Sequence, residues 1–216
     1  MDLTNPLALV SPGVHGSVLT VLARAGQPLT GRGVAQLVRP TASVSGVQNV
    51  LDSLVAGGLV LRTTAGRAQL HSLNRSHLSA SAVVDLVEVK HRLIEKLKDL
   101  AASWTVPARG LWLFGSVARG ESGRQSDLDV MAVRADKVSE DDAAWRDQLT
   151  QLPAQVLAWT GNGCEVIELS ETEMGERASR GERLLADIRR DAVVLAGDSP
   201  REMGIGRVMR TGQARR

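Results

Sequence analysis

The 216-residue chain has no tyrosine, a single phenylalanine (Phe114) and four tryptophans, at positions 104, 112, 145 and 159. None of these aromatics lies in the first 75 residues, which excludes there the stacking platform that single-strand nucleic-acid binders use. Cysteine is nearly absent as well. Cys164 stands alone, so an intrachain disulfide is impossible and nothing points to an oxidising compartment. No apolar run approaches the ~20 residues needed to span a bilayer, and the N-terminus lacks a basic start followed by a continuous apolar stretch. The expectation is a cytoplasmic protein with no membrane partner.

Charge is present but unevenly spread. Residues 1–75 contain six Arg and two Asp, with no Lys or Glu. Residues 76–200 hold fifteen Lys or Arg against twenty-one Asp or Glu, and residues 201–216 hold five Arg and one Glu. A total of +2 therefore conceals a basic, acidic, basic order, which suits a polyanion-binding module joined to a carboxylate-bearing one.

Periodicity divides the chain in a similar way. Val18, Leu19, Val21, Leu22 and Ala25 predict a helix over 14–25, stopped by Gly26. Thr30 caps a second helix through Val34, Ala35, Leu37 and Val38, ended by Pro40. A third helix follows the turn at 40–43, with Val47, Val50, Leu51, Leu54 and Val55 on one face, and Gly57 and Gly58 close it. The period then changes: residues 59–62 and 67–71 read as two strands around a turn at 63–66. Residues 81–101 carry apolar positions at helical spacing and predict one long amphipathic helix, serving as a domain spacer, the first helix of the next domain, or a homodimer seam.

Three helices and a hairpin in this order, with the phrase LDSLVAGGLVLRTTAGRAQLHSLN at 51–74, resemble the winged helix-turn-helix of bacterial transcriptional regulators. The resemblance implies that the third helix enters the major groove of duplex DNA and the wing touches backbone. Ser43, Ser45, Gln48 and Asn49 lie off the apolar stripe, and Arg62 and Arg67 flank the expected wing turn. These six are the DNA-contact candidates.

The segment that carries chemistry is LWLFGSVARGESGRQSDLDVMAV, residues 111–133. A short apolar strand leads into Gly115 and Ser116, a polar loop follows, and a second strand starts near Asp127. Alternation along that strand puts Asp127 and Asp129 on one face while Leu128 and Val130 point into the core. Two adjacent carboxylates repel each other unless a cation sits between them. Mg²⁺ or Mn²⁺ accepts a few carboxylate oxygens together with phosphate oxygens, and a metal pair can stabilise both the attacking and the leaving oxygen of a phosphoryl displacement. Gly115 lets the backbone approach a nucleoside triphosphate, Ser116 adds a hydroxyl, and Arg119 and Ser126 are further nucleotide-binding candidates.

GSVARG, ten intervening residues after Ser116, then DLD within an apolar strand resembles the DNA polymerase β-type nucleotidyltransferase superfamily, and most closely its minimal branch. That resemblance implies a third acid from a later strand. In GNGCEVIELS, Glu165 and Glu168 sit on opposite faces, so only one can join the site, and Glu165 aligns better. Glu stands where the family usually has Asp. The implied metal and catalytic set is Asp127, Asp129 and Glu165. GERLLADIRRDAVVLAGD, residues 181–198, reads as a helix and a closing strand of the same domain.

The expected fold is α+β: a winged helix-turn-helix over 1–78, a polymerase β-like nucleotidyltransferase domain with a mixed sheet and flanking helices over 79–200, and a basic, mobile tail over 201–216. The expected activity is transfer of a nucleoside monophosphate to a hydroxyl of a protein or tRNA, coupled to DNA binding, in a toxin-antitoxin or defence setting. The alternative is a transcriptional regulator whose nucleotidyltransferase domain senses nucleotide without turnover.

Overall fold

The computed structural model describes residues 1–123 and 125–205. They form two compact units, one spanning Met1–Arg92 and the other beginning at Leu93. From residue 206 onward the expected basic tail lies outside the described residues.

The first unit opens with a 3-10 turn, Pro6–Leu9, and helix α1, Val14–Arg24. A two-residue strand β1, Leu29–Thr30, precedes α2, Gly31–Leu37, and α3, Val44–Ala56. Thr30 Oγ1 accepts from Gly33 N–H at 3.0 Å and Ser43 Oγ from Gly46 N–H at 3.1 Å, so both helices start at hydroxyl caps. Strands β2, Val60–Ala65, and β3, Ala68–Leu73, complete a sheet of order β1-β3-β2, antiparallel throughout. Val18, Leu22, Val34, Val47, Leu51 and Val60 are buried together in its core.

Two sequence expectations are corrected here. The hairpin turn is not at 63–66. Thr63 pairs with Leu70 and Ala65 with Ala68, leaving Gly66 and Arg67 as the turn. β-Branched Thr63 and Thr64 suit a pleated strand, and Gly66 at φ +61° supplies the conformation that a two-residue turn needs. The single long helix is in fact two, α4, Ala80–Val87, and α5, Val89–Ala102. The apolar stripe explains the break: after Val83 and Val87 a continuous helix would place Lys90 or His91 next on the buried face. Val83 and Val87 of α4 join the core of the first unit, whereas Leu93, Leu97 and Ala101 form the buried face of α5.

The second unit is a four-stranded mixed sheet of order β6-β5-β4-β7, using β4, Gly110–Phe114, β5, Leu128–Arg134, β6, Cys164–Ser170, and β7, Val193–Gly197. Antiparallel β4 and parallel β6 flank β5. The parallel pair requires a crossover. It is made by α7, Ala143–Thr160, which starts at the Asp142 cap. Short helix α6, Gly115–Arg119, follows β4; α8, Glu171–Ser179, and α9, Arg183–Asp191, lie between β6 and β7. Helix α8 begins with a capping box of Ser170 and Glu173 that the sequence reading passed over. Trp112, Phe114, Met131, Val133 and Leu169 on one sheet face pack with Met174, Leu185 and Ile188 of α8 and α9. Met203 and Ile205, the latter buried, join the same core, so the first residues of the expected tail pack against this unit.

Candidate active site

The site grows from the register of three strands. Phe114 of β4 is paired with Asp129 of β5, and Asp129 with Glu165 of β6. One row across the sheet therefore carries an apolar ring, a carboxylate and a second carboxylate on the same face. Along β5 the alternation continues as Asp127, Asp129, Met131 and Val133, so the core of this face ends where the acids begin. Leu128 and Val130 are fully buried on the other face, as the spacing predicts.

Gly115 is the first residue of α6 and has φ +74°. A Cβ built there would overlap Asp129 Oδ2, so the turn and the carboxylate are in direct apposition and only glycine fits. On the other side of the row, a Cβ at Gly163 would come within 2.6 Å of Asp127 Oδ1. Each aspartate is thus pressed against a backbone that lacks a side chain.

Electrostatics follow from this crowding. The Asp129 carboxyl titrates above its ordinary value, first because it is partly buried and then because Glu165 and Asp127 repel its charge, while Arg119 works in the opposite sense. Asp127 and Glu165 are exposed. The Cys164 thiol beside them is pushed up to about 12 by burial, with Asp129, Asp127 and Glu165 adding to the effect. It remains a neutral thiol at physiological pH and is no nucleophile.

Among the described residues no group of three or more His, Cys, Asp or Glu side chains is placed to hold a metal ion. Asp127, Asp129 and Glu165 lie close enough at the end of one sheet face for the other two carboxylates to oppose ionisation of Asp129, and Glu165 is exposed on the edge strand β6. Carboxylates grouped in this way and open to the solvent side suit Mg²⁺ or Mn²⁺ that would complete its shell with substrate phosphate oxygens and water.

Glu168, the competing candidate, is committed elsewhere. On the opposite face its Oε1 accepts from Arg134 Nε at 2.9 Å and from Trp145 Nε1 at 2.7 Å. Arg119 lies at the end of α6, donating from Nε to Glu121 Oε2 at 2.7 Å and standing 3.8 Å from Asp191 Oδ2. Ser116 is half-buried in the first turn of α6, and Ser126 Oγ accepts from Gly123 N–H at 2.8 Å, bracing the loop that leads to Asp127.

Sequence reasoning missed Asn162. It is 5% exposed, and its Nδ2 donates to the Ser126 carbonyl at 2.7 Å. With Leu128 N–H donating to the Gly163 carbonyl at 2.9 Å, it ties the approach to β6 onto the approach to β5 and so sets where Asp127 stands. The available signal was the Gly-Asn-Gly tripeptide at 161–163, a turn sequence placed directly before a strand.

In the first unit, the six DNA-contact candidates fare differently. Ser43 is the α3 cap, with Ser45 Oγ 3.2 Å from its hydroxyl, and Asn49 is exposed two turns into the helix. Gln48 Nε2 donates to Asp52 Oδ1 at 3.1 Å. Arg62 does not flank the turn. It sits within β2 opposite His71, pairs with Asp52, and donates to His71 Nε2 at 3.3 Å. Arg67 occupies the turn and is exposed.

Among the comparisons with known proteins, the family match falls almost wholly on the second unit. A model of the nucleotidyltransferase domain matches residues 91–183, the span that contains Gly115, Ser116, Asp127, Asp129 and Glu165. Over that span the chain is similar to a nucleotidyltransferase domain. Among solved structures the chain is similar to a toxin-antitoxin crystallised with AMP-PNP, at 15% identity over 51% of this chain and 79% of that one, with a TM-score of 0.36. It is also similar to a candidate nucleotidyltransferase from Sulfolobus solfataricus, at 19% identity over 50% and 83% of the two chains, with a TM-score of 0.28. A third likeness is to human N-acetylserotonin methyltransferase in complex with SAM, at 24% identity over 44% of this chain and 31% of that one, with a TM-score of 0.27. Comparison with curated proteins gives no match. No described helix is long and apolar enough to cross a membrane.

Proposed function

We propose that the second unit transfers a nucleoside monophosphate from a nucleoside triphosphate to a hydroxyl of a macromolecular acceptor. The observation that carries this reading is the apposition of Gly115 to Asp129 in a row with Glu165, inside the span that matches the nucleotidyltransferase domain. Gly115 and Ser116 receive the triphosphate, with N–H and hydroxyl donors at a turn where no Cβ obstructs close approach. Asp127 and Asp129 hold Mg²⁺ or Mn²⁺, which when bound neutralises charge on the phosphate oxygens. The acceptor oxygen attacks the α-phosphorus as the bond to the bridging oxygen breaks, and pyrophosphate leaves with that electron pair. Glu165, exposed beside the pair, takes the hydroxyl proton. Arg119 contributes its guanidinium to the phosphates, and Ser126 and Asn162 hold the loop that carries Asp127.

The first unit is read as a winged helix-turn-helix that binds duplex DNA. Its support is the order of three helices and a hairpin sheet, together with six Arg against two Asp over residues 1–75. Asn49 and Arg67 are exposed, Ser45 shares a hydrogen bond with the Ser43 hydroxyl, and Gln48 and Arg62 first have to leave Asp52. A DNA-binding module on the same chain fits a component that regulates its own operon. A protein or tRNA acceptor in a toxin-antitoxin or defence setting follows from that combination.

The test is incubation with each labelled nucleoside triphosphate, Mg²⁺ and cell lysate, comparing wild type with an Asp127→Ala, Asp129→Ala double variant. Transfer of label to one macromolecule by the wild type alone is the expected result. Nucleotide binding without pyrophosphate release would favour the sensor instead, and full labelling by the double variant would overturn the assignment of the site.

A further inference from the structure

The first unit carries an open pocket of about 510 Å³ bordered by α1, β1, the end of α2 and the segment before α1. Val21, Leu29 and Leu37 give it apolar walls. At one side Asn5, Ser17 and Thr20 bond to one another: Asn5 Nδ2 donates to Ser17 Oγ at 3.0 Å and Thr20 Oγ1 to Asn5 Oδ1 at 3.0 Å. Ser17 Oγ also donates to the Arg39 carbonyl at 2.9 Å. These groups satisfy each other, so selectivity has to come from shape and from charge. The charge is of one sign. Arg24 and Arg39 are the only ionisable residues in the lining, which has no Asp or Glu. Arg24 has no ion-pair partner among the described residues, and Arg39 engages backbone carbonyls of Gln36 and Val38 through Nη1 alone. Lys90 lies near enough to Arg24 for the two cations to disfavour each other, after burial, in setting the Lys90 pKa.

We propose that this cavity binds a small organic carboxylate, its apolar body against Val21, Leu29 and Leu37 and its carboxylate at Arg24 and Arg39. The volume suits a drug-sized molecule, and apolar walls with few oriented polar groups are the usual makeup of such sites. Two arginines are the donors best matched to a carboxylate. The site is independent of the nucleotidyltransferase reading.

The experiment is calorimetric titration of the full chain at low salt with naphthalene-2-carboxylate and with its uncharged carboxamide. One molecule bound per chain is expected, with the acid at least about tenfold tighter than the amide. Arg24→Gln should bring the two ligands to similar affinity. Leu37→Trp, placed at an exposed rim position so that folding survives, should fill the entrance and abolish binding of both. Asp129→Ala should leave binding unchanged, separating this site from nucleotide chemistry. Absence of saturable binding, equal affinity of acid and amide for the wild type, or binding that survives Leu37→Trp in a variant of unchanged melting temperature would overturn the proposal.

Discussion

Glu165 and Glu168 are three residues apart on β6 and live in different chemical worlds. Glu168 is satisfied by Arg134 and by the indole of Trp145, and both partners are largely buried. Truncating it leaves an unpaired guanidinium in the interior, so Glu168→Ala should destabilise the second unit by roughly 3 kcal/mol, read by chemical denaturation. Glu165→Gln should leave that denaturation curve in place while lowering label transfer on the order of 10²-fold, the usual worth of a positioned general base. Asp129 titrates above its ordinary value because of burial and of Glu165 and Asp127. A carboxyl whose folded pKa is raised gives stability that is whole below the unfolded value and fades as pH climbs through the folded one. The Asp129 contribution in the metal-free protein should therefore fade as pH rises from about 4 toward neutrality, against the opposite trend of carboxylates held low by their partners, such as Asp52 and Asp136. Thermal melts of wild type and Asp129→Asn across a pH series measure it, with the variant expected to gain on the wild type as pH rises.

Elements were legible where one physical signal dominated and obscure where two competed. The cap at Thr30, the alternation of β5 and the Gly115 turn each rest on a single local cause, and each could be read from the residues. The hairpin turn was misplaced because Thr63 and Thr64 are acceptable both in turns and in strands, and only pairing with β3 decides between them. The division between α4 and α5 was missed because the spacing on either side is helical, and the interruption at Lys90 and His91 is short. Asn162 was invisible because its partner is 36 residues away. Gly115 gives the sharpest element-level test. Gly115→Ala forces a Cβ into the Asp129 carboxylate and an L-residue into positive φ, so a stability loss of at least about 1–2 kcal/mol from the backbone alone is expected, together with loss of nucleotide transfer. Equilibrium unfolding and the labelling assay measure the two effects separately.

At the level of the whole molecule, a basic leading segment and an acidic following one were apparent from charge counts, whereas the two compact units divide the chain further on, after Arg92, because α4 packs into the first core. What composition could not supply was which basic groups are already spent: Arg62 is held by Asp52 and His71, whereas Arg67 is exposed at the turn. If duplex DNA is the partner, its affinity should fall steeply with salt. Arg67→Ala should then shallow the slope of log affinity against log salt by about 0.9 per lost phosphate contact, as followed by mobility shift over a salt series. The placement of Asp129 also has a meaning for the history of this sequence. A half-buried acid wedged between a glycine turn and two other carboxylates is a residue that folding alone would discard. Were the need for nucleotide chemistry to lapse in a lineage, position 129 is where neutral replacements should accumulate first, ahead of exposed Asp127. Relatives that keep Gly115 but carry Asn or Ser at that position would be the marks of chains that have given up turnover while keeping the fold.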